Sequence, residues 1–289
     1  MTSIAIVTGA SSGLGEELVR RLDAGAFGRL DQIWVVARSA ARLNELAATC
    51  ATPVRTFALD LTEAASFDVI ERALAERDGV RVALLVNNAG FGTFGEFADM
   101  PAGDNASMAR LLMLAPVELT YRALPYMAAG SRVLNVASVA AFVPQPGLAT
   151  YSAAKRFVLD FSRALDEELG PVDIHVTALC PKFMRTAFLD HAGADDVAAG
   201  MACLTGFEDV GRVAERGLAA ARAGRALCIP SPDMRAFYLA AKLLPYPLVA
   251  RAERALLSLA LFRTAPAPTF LVALALMAAG TWLVTPRGE

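Results

Sequence analysis

Histidine is almost missing from this chain of 289 residues, which has only His175 and His191. So few imidazoles leave little material for a histidine-based metal site or a serine–histidine–aspartate triad. His175 lies in a strand-like run, which suits a structural role. The four cysteines, Cys50, Cys180, Cys203 and Cys228, are scattered, and none stands in a C-x-x-C pair. That spacing argues against a zinc site or a disulfide framework and suits free thiols in a reducing compartment. Charge is scarce as well: 19% of residues carry one, the formal net charge is −2, and there is no basic block. Without a basic stripe there is no electrostatic case for a nucleic-acid partner. The opening "MTSIAIVTGA" has neither a basic n-region nor a long apolar core, so it does not read as a secretory signal.

Apolar residues are plentiful, at 55%. Between residues 3 and 230 they fall into short β-branched runs that alternate with longer amphipathic stretches. The strand candidates are Ile4–Thr8, Gln32–Ala37, Val54–Ala58, Ala83–Asn87, Arg132–Ala137, Asp173–Leu179 and Ala226–Ile229. Helical patterns fall at Leu14–Asp23, Ala40–Ala48, Ala64–Glu76, Met108–Met127, Tyr151–Glu168 and Phe207–Arg222. Such β-α alternation predicts an α/β fold, a Rossmann-like doubly wound parallel sheet with helices on both faces. Ligands of such sheets bind beyond the carboxyl ends of the strands, so the residues just after each strand carry the interest.

After the first strand comes "TGASSGLG", Thr8 to Gly15. A strand, a glycine-rich turn and a helix start together make an anion site from free backbone N–H groups and the helix dipole. Gly9 permits the turn, Gly13 lets a pyrophosphate approach, and Gly15 allows the helix to pack on the sheet. Ser11 and Ser12 add hydroxyls, and Leu14 opens the helix. The second strand ends at Ala37 and Arg38, where an acidic residue would suit a ribose 2′-hydroxyl and arginine suits a 2′-phosphate. NADP(H) is therefore expected over NAD(H), the alternative being a solvated arginine at a strand end. Further on, "YSAAK" sets Tyr151 and Lys155 one helical turn apart. A free phenol has a pKa near ~10, and an ammonium one turn away stabilises the phenolate and lowers that value. Ser138, directly after "RVLNVA", can donate a hydrogen bond to a developing oxyanion.

Together, "TGASSGLG", "LDLT" around Asp60, "NNAG" at Asn87 to Gly90, Ser138 and "YSAAK" resemble the short-chain dehydrogenase/reductase family across about residues 3 to 230. The resemblance implies Ser138, Tyr151 and Lys155 as the catalytic serine, tyrosine and lysine, with Tyr151 the proton donor or acceptor. It also implies that Asp60 and Leu61 lie near the adenine, that Asn88 lines the cofactor cleft, and that Met184 and Thr186 touch the nicotinamide end. Two positions depart from the pattern. Leu112 stands where the family usually has an asparagine that holds a water between the lysine and solvent, and Asn105 is about 10 Å away along the helix at 1.5 Å per residue. Lys182 follows Pro181 where the family usually has glycine, so it either alters that loop, brings a charge near the cofactor, or serves the surface.

A substrate lid is expected at about 187–207, helped by "FGTFGEFADM". Phe91, Phe94, Phe97, Phe188, Leu189, Met201, Leu204 and Phe207 give these segments an apolar character. They suit a hydrophobic ketone or aldehyde and its alcohol, or else they are ordinary lid packing. From 231 to 263 the pattern becomes cationic and amphipathic, fit either to pack on its own domain or to lie on a membrane surface. The tail, 264–289, contains the apolar "TFLVALALMAAGTWLV", just short of the usual membrane span. It reads as a membrane anchor with the domain on the cytoplasmic face, the alternative being a buried or dimer-interface helix. The resemblance favours dimers or tetramers. A competing reading keeps the fold and makes the chain a non-catalytic NADP-binding sensor or membrane scaffold.

Overall fold

The computed structural model describes residues 1–245, except Phe94, Ala102, Ala187 and 189–205, together with Val249. Seven strands, β1 (Thr2–Thr8), β2 (Gln32–Ala37), β3 (Val54–Ala58), β4 (Val80–Asn87), β5 (Arg132–Val136), β6 (His175–Leu179) and β7 (Leu227–Cys228), form one sheet in the order 3-2-1-4-5-6-7. Every pairing is parallel. β1 therefore lies between β2 and β4, with Val7 opposite Val35 on one side and Val86 on the other. The chain reverses its winding between β1 and β4, and the crevice at the carboxyl ends of these strands is where such sheets bind ligands.

Eight α-helices flank the sheet among the described residues: α1 (Gly13–Asp23), α2 (Ala40–Thr49), α3 (Ala64–Ala75), α4 (Asp104–Ala109), α5 (Ala115–Ala123), α6 (Ala149–Leu169), α7 (Val210–Arg222) and α8 (Pro232–Leu243). Alternation along β1 feeds both cores. Ala5 and Val7 pack with Leu18 and Leu22 of α1 and Leu218 of α7. Ile4 and Ile6 pack with Ile70 and Leu74 of α3 and Leu119 of α5. The strands are apolar on both faces because both faces are covered.

One predicted helix differs. The stretch read as Met108–Met127 begins earlier, at Asp104, and is interrupted by a π-helical turn over Arg110–Leu114 before α5 resumes. Pro116, in the first turn of α5, has no N–H to give the carbonyl four residues back, so the regular ladder cannot run through it.

The predicted extension from 231 begins as α8, whose Phe237 and Tyr238 rings lie 6.2 and 4.8 Å from that of Phe142. This first part therefore packs on its own domain. The rest of the extension beyond 245, apart from Val249, and the apolar tail lie outside the described residues. Among the described residues no helix is long and apolar enough to cross a membrane.

Candidate active site

At the end of β1 the backbone turns sharply, with Gly9 and Gly13 at φ of +65° and +57°. Only glycine adopts such angles freely. Contact is equally tight at Gly15, where an added Cβ would stand 2.1 Å from the Gly9 carbonyl oxygen. Helix α1 thus starts directly against the turn. Ser12 precedes it without a side-chain capping bond, which leaves first-turn N–H groups open at the positive end of the helix dipole.

The turn is braced from β4. Asn88 Nδ2 donates to the carbonyls of Thr8 and Gly9 at 3.0 and 3.3 Å. Thr8 Oγ1 accepts from the N–H groups of Asn88 and Ala89 at 2.9 and 3.0 Å and donates to the Val86 carbonyl at 3.2 Å. Asn88 was expected to line the cleft, and it also fixes the shape of the glycine turn. Thr8 was not singled out from the sequence. Its signal is a lone hydroxyl between an apolar strand and the first glycine.

A cleft of about 990 Å³ opens above these strand ends. Gly9, Ser11, Ser12, Gly13, Leu14, Arg38, Asp60, Leu61, Asn88, Ser138, Tyr151, Lys155, Met184 and Thr186 all line it. Of the expected cofactor residues only Gly15 does not, because it is spent on packing α1 against the turn. Open N–H groups, absent Cβ atoms and an exposed arginine fit a dinucleotide cradle. Asp60 accepts from Thr62 N and Oγ1 at 2.9 and 2.8 Å. The Thr62 backbone hydrogen bond, with help from the Arg38 charge, holds its carboxyl below the usual range. Ser39, beside Arg38, caps α2 by accepting from Arg42 N at 3.4 Å, and Arg42 also lines the cleft.

Helix α6 carries the tyrosine and lysine. Its buried positions, Ser152, Lys155, Val158, Leu159 and Ser162, recur at three- and four-residue steps, so the face that holds Lys155 is pressed on the sheet. Lys155 is 5% exposed, and its Nζ donates to the Val136 carbonyl at 2.7 Å and lies 5.7 Å from the Tyr151 ring centroid. Ser138 follows β5, accepts from Ala140 N at 3.1 Å and hydrogen-bonds Tyr151. The three side chains converge at the inner end of the cleft.

The electrostatics correct one expectation. Lys155 was to lower the Tyr151 pKa, yet burial pushes the phenol up to about 12, and only the Ser138 hydrogen bond acts against that. Lys155 itself is pulled down to about 8 by burial. The reason is geometric, since the ammonium is bonded to a strand carbonyl instead of the phenol oxygen.

Leu112 is buried with Met108 and Ala154, and its side chain lies against Gly90 beside Lys155. Asn105 accepts from Thr150 Oγ1 at 2.6 Å, which ties it to the start of α6 and away from Lys155. Lys182 is settled more clearly. Its side chain is 10% exposed and pairs with Asp233 of α8 at 2.9 Å, while its N–H donates to Glu208 at 2.9 Å. Glu208 N in turn donates to the Phe183 carbonyl at 2.8 Å, and a parallel bridge joins Met184 to Glu208. Burial pushes the Glu208 carboxyl up, against the pull of the Lys182 hydrogen bond. The lysine thus anchors the wall that carries Met184 and Thr186. Replacing Asp233 with Asn removes the ion pair between them; a loss of about 1–2 kcal/mol is expected for this partly exposed pair. Thermal unfolding and NADPH titration check this, the expected results being a lower Tm and weaker binding.

Of the apolar residues expected near the substrate, Phe91 and Phe188 line the cleft. Phe188 lies 5.8 Å from the Tyr151 ring. Phe97 is 63% exposed and Phe207 lies under Arg185, so neither lines it. Phe94, Leu189, His191, Met201 and Leu204 lie outside the described residues, as does Cys203. Cys180 and Cys228 are buried free thiols, and His175 bonds Asp166 at 3.1 Å, on β6 away from the cleft.

A family model for short chain dehydrogenases matches residues 3–196. The chain belongs to that family. This dehydrogenase is 33% identical over 190 residues to a very-long-chain 3-oxoacyl-CoA reductase of Laccaria bicolor, covering 62% of this chain and 54% of that protein. It therefore spans just over half of that relative's length. Among solved structures, a short-chain dehydrogenase from Sphingobium yanoikuyae in complex with NADPH is 28% identical, with a TM-score of 0.71 over 84% of this chain and 92% of that one. A bulky-bulky ketone specific alcohol dehydrogenase from Comamonas testosteroni is 28% identical, with a TM-score of 0.65 over 78% and 85%. The dehydrogenase is thus an NAD(P)-dependent oxidoreductase acting on a CH–OH/C=O pair.

Proposed function

We propose that the dehydrogenase interconverts an apolar ketone or aldehyde and its alcohol, with NADP(H) as the hydride carrier. The observation that carries this reading is the convergence of Ser138, Tyr151 and Lys155 at the inner end of a dinucleotide-shaped cleft. A nicotinamide bound in the cleft would supply or accept the hydride. Tyr151 gives the proton to the carbonyl oxygen or takes it from the alcohol, and Ser138 holds that oxygen by a hydrogen bond. Lys155, bonded to the Val136 carbonyl and 5.7 Å from the Tyr151 ring centroid, holds the cleft beside the tyrosine. The glycine turn and the start of α1 would hold the pyrophosphate, and Asp60 with Leu61 would border the adenine.

Arg38 supports NADP over NAD, because a guanidinium matches phosphate geometry and no acidic residue stands at the end of β2. Arg38→Ala is expected to raise the KM for NADPH by about tenfold or more, the loss of a charge-assisted phosphate contact, and to change that for NADH little. Steady-state kinetics with the two cofactors measure it. Phe91 and Phe188 support an apolar substrate, and the names of the Laccaria and Comamonas relatives are consistent with one. The apolar tail we read as a membrane anchor that keeps the domain at the cytoplasmic face; recovery of the full chain as a soluble dimer without detergent would sink that part.

The test is NADPH oxidation by the purified protein over a panel of apolar ketones and aldehydes. Turnover supports the enzyme. NADPH binding with no turnover across the panel shifts the reading to a sensor.

A further inference from the structure

Among the side chains that line the cleft and that catalysis does not use, Gln145 is polar and unpaired. Gln145 stands between Ser138 and Tyr151 in sequence and lines the cleft with Phe91, Leu148 and Phe188. Its backbone is held at both ends: its N–H donates to Ser152 Oγ at 3.3 Å, and its carbonyl accepts from Leu148 N at 3.1 Å. The residue as a whole is 9% exposed. Yet its side-chain amide makes no hydrogen bond among the described residues, and neither of its polar atoms is among the fully buried orphans. The amide is thus unpaired in a residue that lines the cleft.

An unpaired amide in a largely apolar wall is unfavourable. A leucine or methionine would fill the same space without that loss. Gln145 contributes nothing visible to the fold beyond its backbone bonds, which any residue could make. An amide with two N–H donors and one acceptor, in the cleft that also holds the group that protonates the carbonyl, has the form of a ligand contact.

We propose that the Gln145 amide is a specificity-determining group that donates a hydrogen bond to a second carbonyl oxygen of the substrate, near the one being reduced. The preferred substrate class is then a ketone with an apolar chain and a neighbouring carbonyl, as in a 3-oxo ester or thioester, over a plain ketone of equal length. This rests on the reading of the cleft as a site of ketone reduction. Discrimination by such a contact is strong when the polar group of the site is otherwise unpaired.

Binding is measured to the full-length protein saturated with NADP⁺, a complex that cannot reduce a ketone. The probes are ethyl 3-oxooctanoate and a plain ketone of the same length, titrated against the wild type, Gln145→Leu and Gln145→Met. The wild type is expected to bind the oxo ester about tenfold or more tighter, and both variants to bring the ratio near one. Melting temperature is the second readout. Loss of a ligand contact leaves it level or higher, because an unpaired amide has been removed, whereas a structural role would lower it. A wild-type ratio near one, whether both ketones bind or neither does, overturns the proposal, as does a ratio that survives both substitutions. Failure of the broader reading looks different: NADPH oxidation is then absent for every carbonyl tested.

Discussion

Tyr151→Phe is expected to lower kcat by about 10²–10⁴-fold, the range for loss of a positioned general acid or base, while NADPH still binds. Phenylalanine keeps the ring that packs on Phe188, so only the hydroxyl is lost. The direction of reaction matters to the pH dependence. A phenol whose pKa is raised to about 12 is protonated throughout the neutral range. Ketone reduction, which needs the acid form, is expected to be level with pH there. Alcohol oxidation needs the phenolate, so its kcat/KM is expected to rise about tenfold per pH unit from neutrality upward. A bound oxidised nicotinamide would add positive charge nearby and move the plateau lower without changing the sign. Stopped-flow or steady-state rates in the two directions, with Tyr151→Phe beside them, measure both effects. A pH-independent oxidation rate would show that another group carries the proton.

Lys155→Met is expected to cost activity and to add stability. Burial lowers the ammonium pKa from 10.5 to about 8, equivalent to roughly 3 kcal/mol of lost stability at neutral pH. Between about pH 8 and 10.5 the unfolded chain holds the proton and the native state has released it, so wild-type stability rises with pH across that window. Below it both states are protonated and the native state bears the full burial penalty. Methionine fills similar volume with no charge to desolvate. A Tm gain of several degrees at neutral pH is expected, at about 2–4 °C per kcal/mol, together with loss of the alkaline rise. Differential scanning calorimetry across pH 7 to 10 reads both. A Tm that falls would mean the lysine stabilises the sheet more than its burial weakens it.

The sheet was legible because its strands are short and apolar on both faces and its glycines mark the turn. Strand ends were read within a few residues. The π turn at Arg110–Leu114 was not foreseen, although Pro116 was its signal. Ser138, Tyr151 and Lys155 were legible as types at a spacing, and their meeting was not, since that depends on β5 and α6 coming together. The direction of the Tyr151 pKa was misread for a related reason. Sequence gives the distance of one helical turn, but not the carbonyl that turns the ammonium aside. Lys182 was ambiguous until Asp233, 51 positions later, came beside it. Gln145 carries no motif at all, and only its burial and lack of partners make it visible.

The pairing of Lys182 with Asp233 has a practical consequence for anyone who prepares this protein. The boundary suggested by the sheet alone, near residue 230, separates Lys182 in the cofactor wall from Asp233. A shortened chain made to avoid the apolar tail should end beyond Leu243, where α8 is complete, and one that stops before Asp233 should purify with a weakened grip on NADPH.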